Sequence, residues 1–361
     1  VKLEILPVLG IGHVSEGDDL AAMIATAAPW LRDGDVLVVT SKIVSKAEGR
    51  LVDIPADGPE RQAARDEVLA AETARVVARR GPTRIVQTHH GFVMAAAGID
   101  ASNVDKTRLV LLPKDPDASA RALRAALRER YDRDVAVIVS DTMGRPWRNG
   151  LTDVALGVAG MDAIRDHRGE TDPYGNELTL TEMAVVDELA GAGELIKGKI
   201  DQVPVAVIRG YLSATRDDDG DGATVLVRDA AQDLFSLGTA EARAAGLAAG
   251  ATLADGLGAA PVDPNAVRRA IDTVAHAVAP GTVFTLVDEE AQPGLAATVT
   301  GWPSRATRLI LGSPPTPVNA LDLVRFGADL HRLRIALAVE GIPSLPLPPP
   351  AASTASATLA V

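Results

Sequence analysis

Apolar positions recur at helical spacing across residues 18–32, "DDLAAMIATAAPWLR". Leu20, Met23, Ile24, Ala27 and Leu31 make one stripe, and Asp18 or Asp19 stands ready to cap its start. The following "GDVLVVTS" is an unbroken apolar run that ends in polar residues, which predicts a buried strand entering a polar turn. Residues 58–80 predict a helix charged on one face. "RIVQTHHGFVMAAAGID" predicts a strand, then small residues and a turn. "DASARALRAALRERY" predicts a helix and "DVAVIVS" a strand. Later, "LTLTEMAVVDELAGAGELI" predicts a capped helix and "VPVAVIRG" a strand. Helices and strands thus interleave to about residue 240, which predicts a mixed α/β (α+β) body.

The pattern then changes. "GTAEARAAGLAAGATLADGLGAAPVDP" is rich in Ala and Gly and reads as a connector with helical parts. Residues 263–343 predict a small α/β unit. "IPSLPLPPPAASTASATLAV" is Pro-rich and then low in complexity. The expected organisation is a body over 1–245, a linker over 246–262, the small unit over 263–343 and a disordered tail over 344–361.

The 361 residues are 47% hydrophobic, enough for sizeable cores, and no apolar stretch approaches the roughly 20 residues of a membrane helix. The opening "VKLEILPVLGIG" lacks the features of a signal peptide. The absence of cysteine excludes disulfides, thiolate metal sites and a cysteine nucleophile, and it fits a cytoplasmic protein. A net charge of -12 and 3% aromatics argue against nucleic-acid binding. Lysine is rare: seven residues against 29 arginines, with Lys42, Lys46, Lys197 and Lys199 in two short segments. Such sites either survive by chance in an arginine-biased sequence or need a compact ammonium donor.

Several motifs fail. "GELIKGK", 193–199, imitates a phosphate-binding loop, but Ile200 replaces the magnesium-binding hydroxyl and the segment follows a helix rather than a strand. "DDDGDG" imitates a calcium loop through Asp217, Asp219, Asp221 and Gly222, yet Arg228 stands where a bidentate Glu belongs. His89 and His90 are adjacent, so a strand points them to opposite faces. What survives is a set of polar turns at element ends: 40–50, 95–104, 140–150 and 197–199. Strand ends are where α/β proteins place their sites. Asp100, Asp141 and Thr142 offer hard oxygen donors for Mg²⁺ or Mn²⁺, and Lys46 and Arg145 offer charge for phosphates. Taken singly, each aspartate reads more readily as a turn residue than as a ligand.

The motifs "EGDDL", "DGDVLVVTSKIVSKAEGR", "HGFVMAAAGIDASNV", "VIVSDTMGRPWRNGLTDVALGVAG", "DPYGNELTLTEMAVVDELAGAGELIKGK" and "DGDGA…DLF" resemble, in order from residue 3 to about 240, the coenzyme F420-0:L-glutamate ligase family. The resemblance implies an unusual α/β fold without a P-loop, used as a homodimer in the cytoplasm. It implies addition of L-glutamate to the lactyl carboxylate of coenzyme F420-0 through an acyl phosphate, with GTP as co-substrate, and further γ-linked glutamates as a candidate extension. The expected ions are divalent Mg²⁺ or Mn²⁺, two in number, with K⁺ as a further candidate. Carried over by motif, GTP would meet Ile11, Gly12, His13, Val14, Ser41, Lys46 and Asn103. Metal would meet Asp100, Asp141 and Thr142, and Asp141, Arg145 and Lys46 would serve catalysis. His13 departs from the residue types expected in its loop. The acidic loop around 219–222 would approach the nucleotide, and Asp187 or Glu188 would accept the amine's proton. For Trp147 and Tyr174, core packing is favoured over covering the deazaflavin ring.

Beyond residue 263 the chain resembles a shortened, degenerate nitroreductase-like unit, through "VDPNAVRRAIDTVAHAVAP" and "FGADLHRLRIALAVEGIPSLPL". Arg268 and Arg269 lie where such domains often contact a flavin phosphate, but the expected central strands are largely missing, so no FMN is expected. Two other classes stand beside the ligase. One is a non-catalytic deazaflavin- or nucleotide-binding paralogue, which the intact Asp100, Asp141 and Lys46 disfavour. The other is a bifunctional ligase and flavin-dependent reductase, which a yellow protein would favour.

Overall fold

The computed structural model describes residues 2–102, 104–198, 201–251, 262–288, 308–316, 318–347 and 356–361. The expectations on Asn103 and Lys199 lie outside the described residues. Two compact units divide the chain, Val1–Gly238 and Thr239–Val361.

The first unit runs β1 (Glu4–Pro7), α1 (Leu20–Ala27), β2 (Val36–Thr40), α2 (Ser41–Ala47), β3 (Leu51–Asp53), α3 (Gly58–Ala71), β4 (Thr73–Arg80), β5 (Thr83–Thr88), β6 (Val93–Ala95) and β7 (Arg108–Val110). It continues with α4 (Pro116–Tyr131), β8 (Ala136–Arg145), β9 (Arg148–Ala159), β10 (Arg165–Asp166), β11 (Glu182–Met183), α5 (Val185–Lys197) and β12 (Val205–Arg209). The main sheet has the order β1-β12-β2-β8-β9. Its β2–β8 pair is parallel and its other pairs are antiparallel.

The continuous apolar runs follow from burial on both faces. Leu37, Val39, Val137 and Val207 pack against Ile24 of α1, Val44 of α2 and Leu123 and Leu127 of α4. Val36, Val38, Ile138 and Ile208 pack on the other face against Val186, Leu189 and Ala190 of α5. Gly193 permits a close approach of α5 to the sheet, since a Cβ there would stand 2.9 Å from Val38 Cγ1. A side layer pairs β3 with β7 and β4 with β5 and β6. Ile54, Leu69, Val86, Ile99 and Leu109 form its core.

The mixed α/β class agrees with the sequence reading, and several element boundaries differ from it. The predicted helix over 58–80 ends at Ala71, and Thr73–Arg80 is a strand. There "TARVV" gains cross-strand partners from β5, and pairing overrides the helix preference of Ala and Arg. The polar turn expected after β2 is a helix, α2. The turn expected over 140–150 is mostly strand: β8 extends to Arg145 and pairs with β9, while its parallel neighbour β2 stops at Thr40. The helix expected from "LTLTEM" begins only at Val185, and Ala184 provides no side-chain cap. Asp19 does cap α1, accepting from Ala22 N at 3.1 Å. That helix stops short of Pro29, whose predecessor is biased away from helical geometry.

The second unit comprises α6 (Thr239–Ala251), α7 (Pro264–Ala275), β13 (Val283–Asp288), β14 (Arg308–Ser313), α8 (Ala320–Val339), β15 (Leu345–Leu347) and β16 (Ala357–Ala360). Its antiparallel sheet has the order β13-β14-β16-β15, and Val267, Ala270, Leu333 and Leu337 of the helices pack against Ile310 and Leu359. This corrects two expectations. A disordered tail over 344–361 is replaced, at its described positions, by β15 and β16, and the unit does possess a sheet. The apolar "ATLAV" end supplies an inner strand, which the Pro-rich composition of the whole tail concealed. Among the described residues, no helix is long and apolar enough to cross a membrane.

Candidate active site

A cavity of about 630 Å³ opens in the first unit where the parallel pairing of β2 and β8 ends. Thr40 and Ser140 are register partners there, and both strands run on into polar sequence. Because α2 starts directly after β2, Lys42 and Lys46 stand one turn apart on one helix face and both line the cavity. Lys46 is only 7% exposed. Burial pushes its ammonium below the usual lysine range, and the Lys42 charge adds to this while Asp100 opposes it.

Asp100 arrives from the side layer, where its backbone exchanges hydrogen bonds with Val110 (2.8 and 2.9 Å). Its carboxylate lies 2.6 Å from Lys42 Nζ and accepts from Ser102 N at 2.7 Å and Ser102 Oγ at 3.0 Å. Burial works to raise this carboxyl, but Lys42 and the Ser102 donors outweigh it and hold it below the ordinary carboxylate range.

Asp141 and Thr142 lie on the part of β8 that outruns β2. The Asp141 carboxylate accepts from Thr142 N at 2.8 Å. Thr142 faces Asp153 across the β8–β9 ladder, and its Oγ1 donates to Asp153 Oδ1 at 2.8 Å. Asp153 Oδ2 accepts from Ser140 Oγ at 2.9 Å and from Lys197 Nζ at 2.7 Å. Lys197, at the end of α5, also donates to Ser140 Oγ at 2.8 Å. Asp153 and Lys197 are 3% and 2% exposed. Burial alone would raise the Asp153 carboxyl, yet the Lys197 charge and the three donors hold it low. Ile11, Gly12, His13 and Val14 form one wall, and Gln202, Val203 and Pro204 form another. Gln202 takes the left-handed φ of 56°.

The structure therefore brings together Ile11, Gly12, His13, Val14, Lys46, Asp100, Asp141 and Thr142. Ser41 is buried and does not line the cavity; Arg145, at the end of the β8 ribbon, does not line it either. Asp187 accepts from Ala155 N at 2.8 Å, Glu188 is exposed, and neither lines the cavity. The acidic loop is at the opposite end of the sheet. Arg124 holds Asp219 (2.7 Å) together with Asp134, just before β8 begins, and Gly160 N donates to Asp219 O at 3.0 Å. Trp147 and Tyr174 are 87% and 92% exposed, so neither packs in a core. Lys42, Ser102, Asp153, Glu194, Lys197 and Gln202 line the cavity without having been assigned to it from sequence. Lysine rarity was a usable signal for Lys42 and Lys197; nothing marked Asp153.

Asp100, Asp141 and Thr142 are hard oxygen donors without nitrogen or sulfur among them, the ligand chemistry of Mg²⁺ or Mn²⁺. Among the described residues, no three His, Cys, Asp or Glu side chains are placed to hold one metal ion by themselves. This donor set suits a cation that keeps water and substrate oxygens in its remaining positions, as Mg²⁺ does beside phosphates.

A family model described as F420-0:Gamma-glutamyl ligase matches residues 9–210. Coenzyme F420:L-glutamate ligase of Methanothermobacter thermautotrophicus is 41% identical over 250 residues, 64% of this chain and 98% of the relative. The protein of the same name from Methanopyrus kandleri is 39% identical over 247 residues, 64% and 97% of the two chains. That from Natronomonas pharaonis is 40% identical over 249 residues, 64% and 94%.

Proposed function

The chain belongs to the F420-0:gamma-glutamyl ligase family, and from that premise we propose that it joins L-glutamate to the lactyl carboxylate of coenzyme F420-0 using GTP. The observation that carries this reading is the convergence of Asp100, Asp141, Thr142, Lys42 and Lys46 on one cavity where the parallel pairing of β2 and β8 ends. All five lie inside the span matched by the family model.

A carboxylate is inert to amines until one of its oxygens becomes a good leaving group. One carboxylate oxygen attacks the γ-phosphorus of GTP, the bond to the β-phosphate oxygen breaks, and GDP leaves. The neutral glutamate amine then attacks the acyl phosphate carbon, phosphate departs with that oxygen, and the proton released from nitrogen passes to water or to the departing phosphate. Asp100, Asp141 and Thr142 would hold a divalent cation, which supplies charge neutralisation at the phosphates when bound. Lys46 places a poorly hydrated ammonium in the cavity wall, where its attraction for phosphate oxygens exceeds that of a solvated one. The walls at 11–14 and 202–204 would shield the acyl phosphate on two sides from water. A homodimer accompanies this reading, and light scattering tests it.

The deciding experiment is mass spectrometry of products from coenzyme F420-0, glutamate and each nucleoside triphosphate. GTP with Mg²⁺ or Mn²⁺ should give a glutamylated product and GDP. Undiminished product after EDTA treatment, or with no nucleotide present, would sink the reading. Asp141→Asn should reduce turnover by about a hundredfold or more.

A further inference from the structure

A hydroxyl has one proton to give and two lone pairs with which to accept. Thr142 gives its proton to Asp153 Oδ1 at 2.8 Å, across a direct cross-strand pair. Its remaining positions can therefore only accept, and drawing the proton toward a carboxylate strengthens the oxygen as an acceptor. Asp153 is fixed in turn from its other oxygen, by Lys197 at 2.7 Å and Ser140 at 2.9 Å. Lys197 reaches this position because Gly193, one turn earlier on α5, allows the helix to lie close over Val38.

As a stability device the arrangement is poor. A buried ion pair can often be exchanged for apolar residues at no loss, because desolvation offsets its attraction. Here the pair sits in the cavity wall directly behind a proposed ligand. We propose that Asp153 and Lys197 are a positioning pair for Thr142: Asp153 turns the hydroxyl so that its lone pairs face the cation position, and Lys197 occupies Asp153 so that this carboxylate does not take the cation itself. The inference rests on the cation reading of the preceding subsection.

The test uses two neutral double variants of the full-length protein, titrated with Mn²⁺ alone by calorimetry and by electron paramagnetic resonance. Asp153→Leu/Lys197→Met removes both charges and the acceptor opposite Thr142. Asp153→Asn/Lys197→Met removes both charges but retains an amide oxygen that can accept from Thr142. Both should fold, because neither leaves Asp153 or Lys197 as a lone buried charge, and Glu194, 3.6 Å from Lys197 Nζ, has a side chain 23% exposed that water can solvate. The leucine pair should bind Mn²⁺ roughly 10- to 100-fold more weakly than wild type, and the asparagine pair should recover at least about tenfold of that loss. A pair with a structural role alone would leave Mn²⁺ binding at the wild-type level in both variants, and that result overturns the inference. Equal weakening in both overturns it as well. Asp141→Asn separates the two levels: an unchanged Mn²⁺ isotherm there overturns the cation reading and this inference with it. A lost isotherm in Asp141→Asn beside an unchanged one in the leucine pair overturns this inference alone.

Discussion

Lys46→Met should move stability and nucleotide affinity in opposite directions. Lys46 is 7% exposed, and burial and the nearby Lys42 charge both depress its ammonium. Its charged form is thus less favourable in the folded protein than in water. Methionine has nearly the same length and flexibility, so the stem's packing is retained and the charge is lost. Without ligand, the variant should be the more stable protein at pH 7. The pH dependence has a definite sign. A lysine whose folded pKa lies below the usual 10.5 binds fewer protons when folded than when unfolded, within the window between the two values. Wild-type stability therefore gains as pH rises through that window, and the variant's advantage shrinks toward pH 10.5. Ligand binding should move the other way. Losing one charge-assisted contact costs about 1.5–3 kcal/mol, which is roughly 10- to 150-fold in the Kd for GTP. Differential scanning calorimetry without nucleotide and calorimetric titration with Mg²⁺·GTP measure the two effects. A variant that melts lower than wild type and binds GTP normally would make Lys46 a structural residue and refute the phosphate assignment.

Three further outcomes follow from the same geometry. Gly157→Ala would place a Cβ 2.2 Å from the Pro116 carbonyl oxygen, backbone that cannot swing away; the cost should be about 3 kcal/mol and the melting point should fall by roughly 6–12 °C, and an unchanged melting curve would mean that α4 shifts freely. Asp187→Asn keeps an acceptor for Ala155 N but removes a carboxylate that burial holds above its ordinary 3.8, with that hydrogen bond opposing. Wild type loses stability as pH rises from 3.8 through the raised value, so the variant should melt higher at pH 7 and gain nothing below about pH 3.8; no gain at neutral pH counts against the assignment. A fragment of residues 1–238 should glutamylate coenzyme F420-0 by itself, whereas the full-length protein, incubated with FMN and desalted, should stay colourless. Inactivity of a folded fragment would place a needed residue after Gly238, and retained FMN would favour the bifunctional reading.

The elements most legible in the sequence were those whose pattern has one physical cause. "VLVVT" and "AVIVS" are buried on both faces, so an unbroken apolar run could mean little else at that length. The Asp19 cap was legible because the capping residue and the stripe behind it are local. Legibility failed where the cause was a distant partner. "TARVVARR" becomes a strand only because "TRIVQT" lies beside it. "SDTMGR" reads as a turn until β9 is known to pair with it beyond the end of β2. The acidic loop resembled a ligand site because its carboxylates were visible in the sequence and Arg124, nearly a hundred positions away, was not.

Motif position could nominate Asp100, Asp141, Thr142 and Lys46, because each sits on a polar segment that follows an apolar run in the sequence. It could not nominate Asp153, which lies within β9 and gains its place from the ladder register with Thr142. The string "GELIKGK" shows how one set of residues admits two explanations. Its glycines and lysine imitate a phosphate cradle. In the structure, Gly193 is small so that α5 can approach Val38, and Lys197 is charged so that it can meet Asp153 beneath Thr142. A glycine and a lysine four residues apart are what a helix needs in order to touch a sheet closely and then place an ammonium one turn further along the same face. The phosphate-loop pattern fails here for want of a strand before it, and Lys197 still serves the cavity, as part of its lining.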